Sequence, residues 1–396
     1  MKLSSDMLPS QLNGIISKLN GPNTLGNSRV FWAAFAVGLL ILIAQPIVRG
    51  SYAAGQFSLF LAYGLLGLSL SLIWGYAGIL SFGQVAFFGI AGYTYAVVSL
   101  NLGGAIGPTV ALPIAIAVAT VSAFILGYFM FYGGVRNVYV AILTLVVTLV
   151  LETFMAQTAG AQWSIGSVKL GGFNGIPGVQ NFTLGVGESS FTLSGSRFYW
   201  FVLGVLLFAY LGSRVLVNSK YGYSLVAIRE DEERTAMLGY NVKKVKLAVF
   251  TFAGALAGLS GIFYANWGNY VDPSVFSLTF ATIPIVWVTL GGRESLLGAI
   301  VGTVIIEWLR KWFSINASEF AIVFVGLILM VTILFIPRGI LPGIKNMYVF
   351  LSTHGLREGV EYGRDTIQTR VKTLLGSVGI NVSESDTPGS SEVMRE

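Results

Sequence analysis

Pro108–Tyr132 reads PTVALPIAIAVATVSAFILGYFMFY, 25 residues without one charged side chain. A bilayer's hydrocarbon core is about 30 Å thick and takes about 20 apolar residues as helix, because in lipid every backbone N–H and C=O must be satisfied within the structure. The stretch therefore predicts a transmembrane helix, and the same ruler finds others on both sides of it. The clear ones are Val30–Val48, Phe57–Trp74, Tyr139–Phe154, Phe198–Leu216, Lys246–Ala265 and Phe320–Ile336. Gln84–Leu100, Phe276–Leu290 and Leu296–Leu309 are shorter or richer in glycine. The expectation is an all-α integral membrane protein of about ten transmembrane helices, with broken or re-entrant helices among them.

Only 11% of the 396 residues are charged and 54% are hydrophobic, against about 25% charged in an average soluble domain. No cysteine is present and the one histidine is His354, which excludes disulfides and cysteine or histidine metal clusters. The net charge of +6 is unevenly placed: seven of the 24 Lys and Arg lie between Arg214 and Lys246, and seven more from Arg338 onward. Such clustering fits loops kept on the cytoplasmic side by the positive-inside rule, and little soluble surface remains for nucleic acid. Residues 1–28 read as a cytoplasmic tail and 29–345 as the transmembrane domain, with an outer loop at 160–197 and a cytoplasmic loop at 218–245. Residues 346–396 read as a polar, partly disordered cytoplasmic tail. With both termini inside, six crossings return the chain to the basic loop and four more to the tail. Arg310 and Lys311 then fall outside, which points to re-entrance in one of the last helices.

None of the ten lysines follows a glycine, so the Gly-Lys pair of a phosphate-binding P-loop is absent and any ATP must be bound by another polypeptide. Glu152 and Glu307 are the carboxylates within predicted helices. Arg310 and Lys311 stand three and four residues after Glu307, the spacing of a local ion pair, while Glu152 is placed to reach the interface or another helix. So few buried charges count against a proton-driven carrier. Gly254 with Gly258, Ala257 with Gly261, and Gly298 with Gly302 are four apart. That pattern lets membrane helices approach closely, and packing within one subunit is its plainer reading.

Trp74-Gly75-Tyr76-Ala77-Gly78-Ile79-Leu80-Ser81-Phe82-Gly83-Gln84 interrupts two apolar runs with three glycines and a serine placed to cap the next helix. Two readings are open. One is a broken helix whose free N–H groups and positive end face a substrate carboxylate or carbonyl, with Gly78, Ser81, Gly83 and Gln84 on the pathway. The other is an ordinary turn between two full helices.

In the basic loop, Leu225, Ile228, Glu232, Ala236 and Gly239 recur at helical spacing. The acids Glu230, Asp231, Glu232 and Glu233 suit the positive end of that helix, and Gly239 with Asn241 stops it. A short charged helix, a turn and a basic return to the membrane have the form of a docking element for a cytoplasmic partner, and equally of a solvated loop.

Ala227-Ile228-Arg229-Glu230-Asp231-Glu232, followed by Ala236-Met237-Leu238-Gly239-Tyr240-Asn241-Val242 and Lys246-Leu247, closely resembles permeases of branched-chain amino acid ABC importers. Gly75-Tyr76-Ala77-Gly78 through Ala86-Phe87-Phe88-Gly89, Gly171-Gly172-Phe173-Asn174-Gly175-Ile176 and Leu290-Gly291-Gly292-Arg293-Glu294-Ser295-Leu296-Leu297-Gly298 are similar to the same family. The resemblance covers about Phe57 to Pro342. It implies a subunit of the bacterial inner membrane, without catalytic residues or a cofactor of its own. Its implied partners are a paralogous permease, two cytoplasmic ATPases that hold ATP and Mg, and a periplasmic binding protein that delivers the solute. It also implies an ATPase-coupling loop of Arg229, Glu230, Asp231, Glu232, Glu233, Ala236 and Gly239. Glu233 and Gly239 keep the family's six-residue spacing, whereas Arg234 and Thr235 stand where small residues are general and no Ile-x-Leu-Pro follows. Urea and short-chain amide importers share the family, and Gly291-Gly292-Arg293 resembles their sequences, so the solute is an amino acid or one of these. An ATP-independent carrier or channel and a membrane assembly protein are the readings from other classes.

Overall fold

In the computed structural model the chain is a bundle of long helices, described at residues 18–24, 26–135, 138–185 and 190–316 and at 323, 326, 327, 330, 339, 340 and 343. Most of the expected span Phe320–Ile336, and the tail 346–396, lie outside the described residues. The first helix, α1 (Arg29–Leu70), runs on through a π-helical turn, Ser71–Tyr76. These 48 residues at about 1.5 Å each would reach about 70 Å, more than two bilayer cores. Gly50, at φ 80° and ψ 170°, breaks the helix just after Pro46. α1 is therefore two crossings, with Val30–Val48 on one side of the break and Phe57–Trp74 on the other.

The other helices are α2 (Gln84–Leu102), α3 (Ile106–Tyr132), α4 (Val138–Ala156), α5 (Ser196–Val217), α6 (Lys220–Glu230), α7 (Glu232–Met237), α8 (Val242–Gly268), α9 (Leu278–Gly291) and α10 (Leu296–Asn316). The second half of α1, with α2 and α8, forms the buried centre; α3 packs on α2 and α8, α5 on α1, and α10 on α1 and α9. The small residues make these contacts possible. A Cβ on Gly254 or Gly258 would strike Ala123 or Ala119 of α3, and one on Gly261 the Phe88 carbonyl of α2. On Gly298 or Gly302 it would strike the backbone of Gly291 or Trp287 in α9. Among the described residues the pattern thus serves packing within the chain.

Successive turns alternate between two faces. Residues 18–24, 26–28, 77–83, 133–135, 218–241 and 292–295 share one, tied together by bonds such as Asn23 Nδ2 to the Val217 carbonyl (2.8 Å) and the Tyr76 hydroxyl to the Glu294 carbonyl (3.2 Å). The opposite face holds the long loop before α5, where Ser167 N donates to Asn101 Oδ1 (2.8 Å) and Ser196 N to Ser51 Oγ (3.2 Å). Six crossings separate Ser28 from Asn218, as the charge pattern predicts. Lys311 Nζ donates to Gln56 Oε1 (3.0 Å), which puts Arg310 and Lys311 on the opposite face. Gly339 lies against Gly292, so the chain is again at the first face there.

The last pair, α9 and α10, meets at 118° in the Gly292–Ser295 turn on the first face; α9 reaches that turn from the opposite-face loop and α10 leaves it for Lys311, so the structure shows a broken crossing in place of the re-entrance expected from Arg310 and Lys311. α9 has 14 residues, about 21 Å, too short for a full crossing. It starts from the 3-10 turn Pro273–Phe276, whose Phe276 ring meets Gly89 and stacks on Tyr93 (5.8 Å, 14°) in the middle of α2. The opposite-face loop has little helix, as expected, and adds three two-residue antiparallel ladders. These are β1 (Ser164–Ile165) with β2 (Val168–Lys169), β3 (Ile176–Pro177) with β6 (Tyr270–Val271), and β4 (Thr183–Leu184) with β5 (Phe191–Thr192).

Residues 18–24 and 26–28 of the N-terminal segment are strapped onto the end of α5. Arg214, 1% exposed, donates to the carbonyls of Leu19 and Gly26 and to the Tyr210 hydroxyl, and lies 4.9 Å from the Phe31 and Trp32 ring centres. Asn218 accepts from Asn23 N (3.1 Å) and donates to Thr24 Oγ1 (3.1 Å). A buried guanidinium needs acceptors for its fork of N–H groups, and the strap supplies them.

Candidate functional site

Two places on the molecule answer to the motifs read from the sequence: the loop between α5 and α8, and the start of α2. In the loop, Ser219 caps α6 by accepting from Gly222 N, and Leu225 and Ile228 bury the inner side of the helix. The Tyr221 hydroxyl donates to the Val245 carbonyl (2.6 Å), and burial pushes its phenol well above the ordinary range. It stays protonated and pins α6 to α8.

The expected continuous helix from Leu225 to Gly239 is two helices. Asp231, extended at φ −155° and ψ 102°, ends α6 and caps α7, its carboxylate accepting from Arg234 N (2.9 Å). A side chain that satisfies the next helix's free N–H wins over propagation through four consecutive acids. Asn241 does not stop α7; it caps α8, accepting from Lys244 N (3.0 Å). Gly239, at φ 88°, makes the turn between them.

The seven coupling-loop residues divide. Glu230, Asp231, Glu233, Ala236 and Gly239 are at the surface. Arg229 and Glu232 turn inward: Arg229 donates to the Gly75 carbonyl and lies 3.4 Å from Glu294 Oε1, while Lys246 Nζ meets Glu232 Oε2 at 2.6 Å. Sequence reasoning missed the apolar tip beside them. Met237 is 86% and Leu238 73% exposed, with Tyr240 half-exposed, at the end of α7 and in the turn to α8. Neighbouring large apolar side chains exposed at the tip of a loop outside the apolar spans are the signal that finds it.

The start of α2 has the form of a turn and of a helix break at once. The chain reverses direction, and Gly78–Gly83 is non-helical and runs back into the interior before α2 begins. Gln84, 1% exposed, lies level with Ser69, whose hydroxyl is 3.3 Å from its Oε1, and Gln84 Nε2 has no partner among the described residues. Ser81 does not cap the helix. Its Oγ accepts from Gly83 N (3.1 Å), Thr144 Oγ1 of α4 accepts from Phe82 N (3.2 Å), and the N-cap is Gly83, which has no side chain to offer. Ser81, Gly83 and Gln84 are therefore brought together in the interior, whereas Gly78 is at the surface against Arg229.

Of the two helix carboxylates, Glu307 is buried, accepts from Trp287 Nε1 (3.2 Å) and pairs with Arg310 (3.4 Å). Lys311 turns to Gln56 instead of completing the expected pair. Glu152, half-buried near the end of α4, has no hydrogen bond or ion pair among the described residues. Gly291 and Gly292, read from sequence as a hint of urea, are contact points for Gly298 and Gly339.

Residues 52–335 match the family model described as branched-chain amino acid transport system / permease component. The chain belongs to that family. It is a multi-pass transport permease of the branched-chain amino acid group. The chain is similar to the high-affinity branched-chain amino acid transport system permease protein LivM of Escherichia coli K12, 26% identical over 352 residues covering 83% of this chain and 80% of the relative. It is also similar to the probable branched-chain amino acid transport permease protein LivM of Methanocaldococcus jannaschii, 23% identical over 326 residues covering 71% and 90%. A weaker likeness, 24% over 127 residues and 30% of this chain, is to the ribose import permease protein RbsC of Haemophilus influenzae. No solved structure matches.

Proposed function

We propose that this chain is the transmembrane permease subunit of an ATP-driven importer of the bacterial inner membrane, forming with a paralogous permease the path for branched-chain or related amino acids delivered by a periplasmic binding protein. The face that carries the α6–α7 loop is cytoplasmic, with both termini on that side, since the positive-inside rule favours the side with the basic cluster. Two separate ATPases hold ATP and Mg and do the hydrolysis; this chain contributes no catalytic group and no cofactor.

The observation that carries the reading is the α6–α7 loop: an exposed apolar tip of Met237 and Leu238, preceded by the exposed acids Glu230, Asp231 and Glu233 and lying outside the apolar spans in the sequence. Outside the membrane such a tip is a place for a partner, and an ATPase groove is the partner a permease needs. Support for the path comes from α2 and α9, both of which begin inside the bundle, one entered from each face. Interior helix starts leave N–H groups and a positive end for a carboxylate. Gln84, with half its amide unpartnered, and the neighbouring Ser81 and Gly83 are the proposed contacts.

The test is uptake of labelled leucine into proteoliposomes holding this chain, its partner permease, the ATPases and the binding protein. ATP-dependent uptake that ignores excess urea supports the reading. Uptake without ATP would assign a carrier instead, and ATP hydrolysis without leucine uptake would move the solute to urea or a short amide.

A further inference from the structure

Arg229 is where the α6 helix is bonded to the broken parts of the membrane domain. Its stem lies on Gly78, where φ is +71° and an added Cβ would come within 3.0 Å of Arg229 Cγ. Its Nη1 donates to the Gly75 carbonyl in the π-helical turn (2.5 Å) and sits 3.4 Å from Glu294 of the α9–α10 turn. Nε and Nη2 hold Glu230 at 3.1 and 2.7 Å, so the guanidinium is bonded on both edges and only 23% of the side chain is exposed.

The elements it reaches are themselves bonded to one another. Ser71 Oγ donates to the Arg293 carbonyl (3.0 Å), and the Tyr76 hydroxyl lies within reach of the carbonyls of Glu294 (3.2 Å) and Asn23 (3.1 Å). Gly75 presses so closely on the Arg293 carbonyl that no Cβ fits between them. The end of α1, the α9–α10 turn and the N-terminal strap therefore form one bonded plate. Both interior helix starts connect to it, α2 through Ala77–Gly83 and α9 through its own C-terminal end.

We propose that Arg229 is a positioning residue that bonds the α6 helix to this plate, so that a displacement of α6 moves the end of α1 and the α9–α10 turn together. Its role is toward this chain's own interior and not toward the ATPase. A planar fork can hold a carbonyl and a carboxylate at once, which a lysine ammonium on a flexible stem does poorly. The inference rests on the reading of the loop as the coupling element.

The experiment uses the full chain in its assembled complex, into which single cysteines can be placed because it has none of its own. Spin labels at Tyr223→Cys on α6 and Arg293→Cys on the turn report the distance between helix and plate. One narrow distance, unchanged by ATP, is expected with Arg229 in place, and a broadened distance with Arg229→Gln, before any nucleotide is added. In proteoliposomes the ATP hydrolysed per leucine taken up should rise about tenfold for Arg229→Gln, the effect of one lost charge-assisted bond, and less for Arg229→Lys. Glu294→Gln, which removes one arm at a half-exposed site, gives a smaller broadening and keeps the test available if Arg229→Gln does not assemble. An unchanged distance in these variants overturns the proposal. So does proportional loss of hydrolysis and uptake in an assembled Arg229→Gln complex, which would place Arg229 at the ATPase. If the parent complex takes up no leucine, the transport reading fails, while the nucleotide-free distance still decides whether Arg229 makes the tie.

Discussion

Gly75→Ala is the substitution that most directly probes the plate beneath the α6–α7 loop. A Cβ at Gly75 would overlap the Arg293 carbonyl oxygen, so the π-helical turn and the α9–α10 turn must separate by about 1 Å. The two bonds that cross this contact are Ser71 Oγ to the Arg293 carbonyl at 3.0 Å and the Tyr76 hydroxyl to the Glu294 carbonyl at 3.2 Å. Moved outward by that amount both pass the limit of about 3.5 Å, and each is worth about 1 kcal/mol. Alanine returns up to about 1 kcal/mol of helix propensity, leaving a net loss of about 1–2 kcal/mol. Gly204 in α5 is the control, since a Cβ there meets nothing within 4 Å, and Gly204→Ala should be neutral or stabilising by up to about 1 kcal/mol. Reversible unfolding in mixed micelles, followed by tryptophan fluorescence, measures both. Equal shifts for the two variants would refute the argument that the turn depends on close backbone approach at Gly75.

Three other outcomes are expected. Asp231→Ala removes the carboxylate that accepts from Arg234 N, so α7 should fray at a local cost of about 1 kcal/mol, read as faster amide exchange at residues 232–237 with α8 unaffected. Met237→Asp with Leu238→Asp, at side chains that are almost fully exposed, should change unfolding by less than about 0.5 kcal/mol yet abolish co-purification of the ATPases; retained assembly would remove the tip from the interface. Glu233→Lys or Gly239→Pro should leave the protein inserted and uncouple ATP hydrolysis from leucine uptake, and normal transport by both in vesicles would contradict the coupling assignment.

The helices were legible because lipid imposes one rule on every span, and an apolar run such as Pro108–Tyr132 obeys it whatever its neighbours do. The faces were legible from the basic residues between Arg214 and Lys246. What could not be read is where several acceptors compete for one donor. Ser81 looks like a cap for α2 by position, but its hydroxyl reaches Gly83 N while Thr144, far away in sequence, takes Phe82 N. Asp231 sits within a run of four acids, and periodicity cannot say which of them will leave the helix to cap the next one. Arg214 belongs by position to the loop's basic residues; its burial depends on carbonyls of Leu19 and Gly26, which lie nearly two hundred residues away in sequence. The apolar tip at Met237 and Leu238 was hidden because its meaning comes from exposure, which a sequence does not state.

The distribution of polar bonds suggests where motion is resisted and where it is allowed. On the α6–α7 face, Arg214, Asn218, Tyr76, Arg229 and Glu294 join four separate chain segments. Deeper in the bundle, the closest approaches between α2, α3 and α8 are at glycine and alanine, beside packed rings such as Phe87 and Phe131 on Phe250, and these contacts are not hydrogen bonds. α4 is more loosely held, packing mainly on the Pro273–Phe276 turn and α9, and it carries Thr144, which holds the chain just before α2. If the bonded face moves as a unit, the least costly response is at α4, where loss of the Thr144 contact would free the N–H of Phe82, next to Gln84. Thr144→Val, which keeps the shape and removes the acceptor, should therefore loosen the start of α2 and raise amide exchange at Phe82 and Gly83 by about tenfold, a factor equivalent to about 1.4 kcal/mol. Unchanged exchange would mean that backbone packing alone holds the turn, and that α4 plays no part in opening it.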